Sequence, residues 1–295
     1  MNPHFDKATL VDAVLELIRK TSTQLPRDVI AAMEKGIANE EEGSPAKSVL
    51  SFMLKNAIEA EANSTPICQD TGTNIYFITI PVGVSMRMVE NAIIEATKLA
   101  TKKTYLRPNS VDPVTGVNTG DNTGIMAPFI HFEEGDGSEL KIDLALKGGG
   151  CENVSDQYKL PDTRLKAGRN LEGVYKCIID AIHNAQGLGC APGVVGIGIG
   201  GDRVSGMIQA KKQLFRKLTD INPNAELAEL ETKLYIDLNT LGIGPMGFGG
   251  NTTVLSVKIG TVHRLPASFF VSISYMCWAD RRHSMVMDEK GVRYD

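Results

Sequence analysis

Residues 187–201 read Gly-Leu-Gly-Cys-Ala-Pro-Gly-Val-Val-Gly-Ile-Gly-Ile-Gly-Gly, and this stretch decides the class of fold. Residues 170–186 before it and 204–218 after it carry apolar side chains at helical spacing. The apolar run that opens at Val194 therefore reads as a strand between two helices, the signature of an α/β protein. The run 196–201 formally matches the GxGxxG spacing of dinucleotide-binding turns. Its glycines, however, fall inside the candidate strand, and Asp220 is the sole acidic residue near the offset a ribose contact requires. A nucleotide-binding protein is carried only as the distant alternative.

Working outward, the first hundred residues read mainly as helices. Leu10, Val14, Leu17 and Ile18 recur on one helical face, and a second helix follows Pro26. Ser44-Pro45 supplies an N-cap with Pro in the first turn of a helix running to about residue 62. Residues 74–80 (NIYFITI) predict a strand, and 86–102 a helix. Residues 129–133 and 139–146 are expected to form a hairpin around Gly135-Asp136-Gly137. Helices are expected at 225–241 and strands at 252–259 and 269–275. The expectation is an α/β fold with a mixed sheet and helices. It forms one large catalytic domain over residues 1–295, with an N-terminal helical subdomain and no Ser/Pro-rich linker.

Composition narrows the function. Lys plus Arg number 31 against 35 Asp plus Glu, a net charge of −4 that argues against nucleic acid as the main partner. The start, MNPHFDKATL, lacks a charged n-region followed by an apolar one, and no window approaches a membrane span. The expectation is a soluble cytoplasmic protein. Glycine accounts for 29 of 295 residues and clusters at 148–150, 196–201 and 242–250. Such runs read either as tight turns or as backbone N–H groups presented to an anion.

Five cysteines without a signal peptide make a disulfide framework unexpected, and no CxxC pair is present. Cys177 lies among Val174, Ile178 and Ile182 on a helix and reads as core. Cys68 (Pro66-Ile-Cys-Gln-Asp-Thr-Gly72), Cys190 and Cys277 (Cys-Trp-Ala-Asp-Arg-Arg282) instead occupy polar loops at element ends. Four thiolates complete a [4Fe–4S] cluster, whereas three leave one iron open to substrate. Spacing alone leaves both readings standing, buried thiols or metal ligands. Asp70 before Thr71-Gly72 likewise reads as an Asx turn or as a functional carboxylate. Asp280, Arg281 and Arg282 read as anion ligands or as anchors of the Cys277 loop, and His4, His131 and His183 as structural or exposed.

Five segments carry a family resemblance: Cys68-Gln-Asp-Thr-Gly-Thr73, Asn118-Thr-Gly-Asp-Asn-Thr-Gly124, Lys147-Gly-Gly-Gly150 with Glu152-Asn153, Gly249-Gly-Asn-Thr-Thr253 and Cys277-Trp-Ala-Asp-Arg-Arg282. In this order they resemble the class I, iron–sulfur fumarate hydratases and, equally, the alpha subunit of L-tartrate dehydratase. The resemblance implies an oxygen-sensitive hydro-lyase whose [4Fe–4S] cluster is held by Cys68, Cys190 and Cys277. It implies reversible hydration of fumarate to L-malate, a tricarboxylic acid cycle step, with L(+)-tartrate dehydration as the alternative. One-chain members carry a further C-terminal domain, so a separate beta subunit in a hetero-oligomer is expected to complete the site and to supply the carbon base. The substrate is a small dicarboxylate. Arg107 matches a substrate-binding arginine, Gln69 and Asp70 match residues that contact substrate, and Asp70 is the candidate proton relay at the hydroxyl. Lys147, Gly149, Gly150 and His263 are the remaining candidate substrate contacts. Two departures stand out: Cys151 where fumarases usually have Ser, and Leu265 where relatives often carry a histidine that His263 would replace.

Overall fold

The structure, a computed structural model, describes residues 6–295, so His4 lies outside the described residues. Its elements are α1 (Lys7–Thr23), α2 (Arg27–Asn39), α3 (Pro45–Asn63), β1 (Thr73–Pro81), α4 (Met86–Lys102), β2 (Phe129–Gly135), β3 (Leu140–Lys147), α5 (Gly149–Asn153), β4 (Asp156–Lys159), α6 (Leu171–Ala185), β5 (Gly193–Gly200), α7 (Arg203–Gln213), α8 (Ala225–Asn239), β6 (Val254–Val262), β7 (Phe270–Met276), β8 (Arg282–Asp288) and β9 (Gly291–Tyr294). They fall into two compact units, each with its own sheet. The first comprises the chain up to Pro26, Asn56–Gly148 and Arg281–Asp295, and the second Arg27–Lys55 and Gly149–Asp280. The N-terminal helices divide between them: α1 and α4 belong to the first, α2 and the start of α3 to the second.

In the first unit a mixed sheet runs β2-β1-β3-β8-β9. The apolar stripe Leu10, Val14, Leu17 and Ile18 of α1 packs with Val89, Ile93 and Ala96 of α4 onto Tyr76, Ile78, Ile80, Ile142 and Leu144. Asp6 caps α1 and Ser85 caps α4, accepting from backbone N–H groups of the first turns. The hairpin expected from residues 129–146 does not form. β1 lies between β2 and β3, parallel to the first and antiparallel to the second. Nearly every β1 residue is buried, so this strand takes a central place and the Gly135 turn leads across it. His131 stacks on Phe77 of the neighbouring strand, a structural role.

In the second unit the order is β4-β7-β5-β6, with β5 and β6 parallel and the other pairs antiparallel. β5 is buried throughout, and α7 lies across it. Here the glycine motif finds its purpose. A Cβ added at Gly196 would stand 2.3 Å from the Ala210 carbonyl oxygen, and one at Gly198 2.2 Å from that of Gly206. These glycines seat helix on strand, and they are in the strand instead of in a phosphate-binding turn, which removes the basis of the nucleotide alternative. The helix expected at 204–218 ends at Gln213. Beyond it Arg216 turns inward to Glu231 and Asp220 (2.8 and 2.9 Å), and Asp220 also accepts from buried Lys258. Asn170 and Asn224 cap α6 and α8.

The two units share a plan that no repeat in the sequence announces. In each, a strand leads through helix to a parallel neighbour (β1 to β2, β5 to β6), and the next strand returns antiparallel on the first strand's other side (β3, β7). Replacing Gly198 by Ala is expected to cost about 1–3 kcal/mol through overpacking under α7. Urea denaturation reads this directly, and undiminished stability would contradict the close approach of α7 to β5.

Candidate functional site

The Cys190 loop and Cys277 lie at one end of the second unit's sheet. β7 runs antiparallel to β5, so Met276 pairs with Val194 and Cys277 falls beside the loop that feeds β5. That loop holds Cys190 in a left-handed conformation, φ 58°, with its N–H bonded to the Gly187 carbonyl at 3.0 Å. Trp278 N–H donates to the Cys190 carbonyl at 3.2 Å, and Met246 N–H to that of Ala191 at 2.9 Å. Cys190 is partly exposed and Cys277 buried. Cys151 arrives on α5, its Sγ 3.7 Å from the Gly189 carbonyl oxygen. Gly149 and Gly150 open the same short helix, and a Cβ at Gly150 would stand 3.2 Å from the Leu188 carbonyl oxygen.

Tyr275 packs under the Cys190 loop: a Cβ added at Gly189 would stand 2.5 Å from its Cε1, and one at Gly193 2.3 Å from its Cζ. Burial pushes its hydroxyl pKa up, and charge on Cys151, Cys277 and Cys190 works in the same direction. Its backbone N–H donates to Ser155 Oγ at 3.1 Å, and that hydroxyl donates to the Cys151 carbonyl at 2.8 Å. Cys177 is elsewhere, fully buried on α6, where burial pushes its thiol pKa up to about 12.

The first unit presents the other candidates. Asn56 Nδ2 donates to the Ile67 carbonyl and Ile67 N–H to the Ser22 carbonyl, fixing the approach to Cys68, which is partly exposed. Gln69 is exposed. Asp70 Oδ1 accepts from Gly72 N–H at 3.0 Å, so the Asx turn forms. Gly72 has φ 81°, and a Cβ there would stand 2.8 Å from the Lys147 carbonyl; the buried Lys147 thus adjoins the Asp70 turn. Thr71 Oγ1 accepts from Arg107 N–H (3.0 Å) and Asn109 Nδ2 (3.1 Å). Asn122 completes the clamp, donating to the Arg107 carbonyl and accepting from Asn109 N–H. The exposed Arg107 side chain therefore stands on a fixed backbone, beside a cleft of about 240 Å³ lined by Gly72, Asn74, Asn109 and Asn122.

Arg281, 1 % exposed, donates to the Asp70 carbonyl at 2.8 Å, while its own carbonyl accepts from Leu146 N–H. Through these two bonds Arg281 ties the Asp70 turn to β3. Thr71 and Asn122 were missed as the residues that hold the Arg107 backbone. Their signal was adjacency to candidate residues, because hydrogen bonds across long separations leave no local pattern.

His263 follows the end of β6, which runs parallel to β5 with Gly200 opposite Val262, whereas Cys190 and Cys277 lie at the Gly193 end. The eight residues of β5 separate it from the cysteines, roughly 25 Å at strand rise. Among the described residues no three His, Cys, Asp or Glu side chains are gathered to hold a single metal ion. Cluster ligands need no such common centre, since each thiolate binds a different iron. Among the same residues no helix is long and apolar enough to cross a membrane.

The fumarate hydratase (Fumerase) family model matches residues 11–286. A provisionally named fumarate hydratase class I of Geobacillus stearothermophilus is 47% identical over 282 residues, 95% of this chain and 55% of that protein. The chain thus spans about half of that relative. A provisionally named L(+)-tartrate dehydratase subunit alpha of Methanocaldococcus jannaschii is 39% identical over 92% of this chain and 95% of its own length. The L(+)-tartrate dehydratase subunit alpha of Escherichia coli K12 is 31% identical over 94% and 90% respectively.

Two outcomes check the site's construction. Arg281→Leu leaves the Asp70 carbonyl without its partner and is expected to cost about 2–3 kcal/mol in denaturant melts. Iodoacetamide reacts with thiolates, so at pH 8 native protein should label at Cys190 and spare Cys177, whose raised pKa keeps it neutral. Peptide mapping distinguishes the two, and early labelling of Cys177 would contradict its placement in the core.

Proposed function

Because the chain belongs to the fumarate hydratase family, we propose that it is the alpha subunit of an iron–sulfur hydro-lyase that interconverts fumarate and L-malate. The observation that carries this reading is the convergence of Cys190 and Cys277 at one end of the second sheet, in backbone conformations fixed from three sides. Loop thiols at strand ends, one partly exposed, are a donor set suited to iron. Cys68, Cys190 and Cys277 are the proposed ligands. Bound there, a [4Fe–4S] cluster with one iron lacking a protein ligand supplies Lewis-acid polarisation of the substrate hydroxyl and a carboxylate.

This chain's residues do the rest. Hydration adds hydroxide at one alkene carbon and a proton at the other, so two carboxylates must be held while protons move. Arg107 takes one carboxylate through its bidentate fork, its backbone clamped by Thr71 and Asn122. Lys147 adds positive charge behind the Asp70 turn, while Gly149, Gly150 and the Gln69 amide offer N–H groups. Asp70 exchanges the hydroxyl proton. The carbon base is assigned to a separate beta subunit. Its docking face is placed on the loop that carries Arg107, where Val114, Ile125 and Met126 are 91%, 98% and 76% exposed although the loop is pinned by hydrogen bonds. An oxygen-sensitive centre suits the reducing cytoplasm. L(+)-tartrate is the second reading, favoured by the near full-length match to proteins named as its dehydratase alpha subunit.

Anaerobic copurification with the beta subunit, iron and sulfide analysis, and parallel assays with fumarate, L-malate and L(+)-tartrate test the proposal. A brown protein that hydrates fumarate and bleaches in air is expected, whereas turnover of tartrate alone would install the second reading. Absence of iron after anaerobic reconstitution would overturn both. Ala at Cys68, Cys190 or Cys277 should abolish iron and activity together, with Cys177→Ala keeping both. Arg107→Lys should raise KM about tenfold or more at unchanged iron content, as expected for loss of a charged hydrogen bond. Val114→Asp with Ile125→Asp should weaken copurification of the beta subunit without reducing iron-independent fold stability.

A further inference from the structure

A cleft of about 510 Å³ opens in the second unit between α2, α8 and the edge strand β6, and none of its residues is among the proposed iron or substrate contacts. Sites for small molecules span roughly 300–1,000 Å³. The space exists because its helical walls carry small side chains, Ala31 and Ala32 on α2 and Ala228 on α8. Leu255 and Val257 of β6 give it an apolar floor, Tyr235 an aromatic wall, and the exposed Ile221 an apolar lip. Hydrogen bonds hold the surround in place. Leu218 N–H donates to Asp28 Oδ2 at 2.8 Å and ties the loop before α8 to α2. At the back of the cleft Asn222 Nδ2 donates to Glu231 Oε1 at 2.8 Å. Arg216 pairs with Glu231 and Asp220, and Lys258 with Asp220 at 2.7 Å. Two cations therefore answer two carboxylates there, and Asp28 is engaged by a backbone N–H. One charge is left over. Lys35 lies two helical turns beyond Asp28, roughly 10 Å along α2. Its ammonium stands 5.6 Å from the centre of the Tyr235 ring, and among the described residues it forms no ion pair.

We propose that this cleft is a second ligand site, separate from the hydration chemistry, which takes a small organic carboxylate with an apolar body. The carboxylate pairs with Lys35 at the mouth, and the body lies between the alanine walls over Leu255 and Val257, against the Tyr235 ring. The carboxylates already present do not repel such a ligand, because each is matched by a cation or an N–H group. Since the loop and both helices are tied down beforehand, binding orders little of the protein and keeps most of its contact energy. Two requirements separate by substitution. Lys35→Glu reverses the charge at the mouth and leaves the walls intact, whereas Ala32→Phe fills the space and leaves the charge.

The probes are 8-anilinonaphthalene-1-sulfonate, an aryl body with one negative charge, and N-phenyl-1-naphthylamine, the same body without it. Equilibrium dialysis against the full chain reads both. Lys35→Glu should raise the Kd of the anionic probe about tenfold or more, as for loss of a charged contact, and change that of the neutral probe less than about twofold. Ala32→Phe should weaken both. Phenylacetate, an aryl carboxylate, should displace the sulfonate, and inorganic phosphate at the same concentration should not. Wild-type affinity for both probes in a folded Ala32→Phe would overturn the site. Wild-type affinity for the anion in Lys35→Glu would overturn the pairing at the mouth. A sulfonate that phenylacetate fails to displace, or that phosphate displaces equally well, would overturn the ligand class. Far-ultraviolet dichroism checks folding, and should Ala32→Phe fail to fold, Lys35→Glu, on an exposed side chain, decides alone. Iron content and hydro-lyase activity enter none of these outcomes, so the two readings fail separately.

Discussion

The antiparallel pairing of β7 with β5 is the interaction on which the second unit's chemistry depends. It sets the end of one strand beside the beginning of the other, so residues far apart in sequence share one edge of the sheet. Register fixes this arrangement strongly. A slip by one residue would turn Tyr275 to the opposite face and leave the space under Gly189 and Gly193 empty. Packing of a ring against two glycines and the direction of a cysteine loop are thus two expressions of one alignment.

In the first unit the equivalent constraint is polar. The segment from Arg107 to Asn122 has little regular structure, yet its backbone is tied by side-chain amides and a threonine hydroxyl instead of by a ladder. Fixing such a segment in advance removes ordering entropy that ligand binding would otherwise bear. The buried Arg281 performs the same service for Asp70 from the opposite side of the turn. Polar clamps of this kind explain how an exposed guanidinium can have a defined origin without a helix beneath it.

Much of this was legible in the sequence, and the boundary follows physical range. Local signals held: Ser44 opens α3 with its hydroxyl bonded to Lys47 N–H, and α4 occupies the residues its periodicity marks. The resemblance in the cysteine and glycine motifs agrees with the family match. Pairing partners were not legible, because residues 129–146 carry the same alternation whether or not β1 intervenes. Likewise β8 and β9 escaped notice, since Arg282 and His283 interrupt the apolar pattern of a strand that is nonetheless buried. The place of His263 in the sheet was hidden for a related reason: it depends on which end of β6 lies beside the cysteines, and that is a matter of strand direction.

The inward turn of Arg216 bears on solubility. β6 is the outermost strand of its sheet, and it is apolar and buried for most of its length. Its outer rim is spoken for: Ile259 N–H donates to Glu231, and its carbonyl accepts from Asn222 and Arg216. An uncovered rim of that composition would be a template for another chain's strand. The carboxylate and guanidinium that cover it therefore act as gatekeepers against self-association, a role separate from the chemistry at the other end of the sheet.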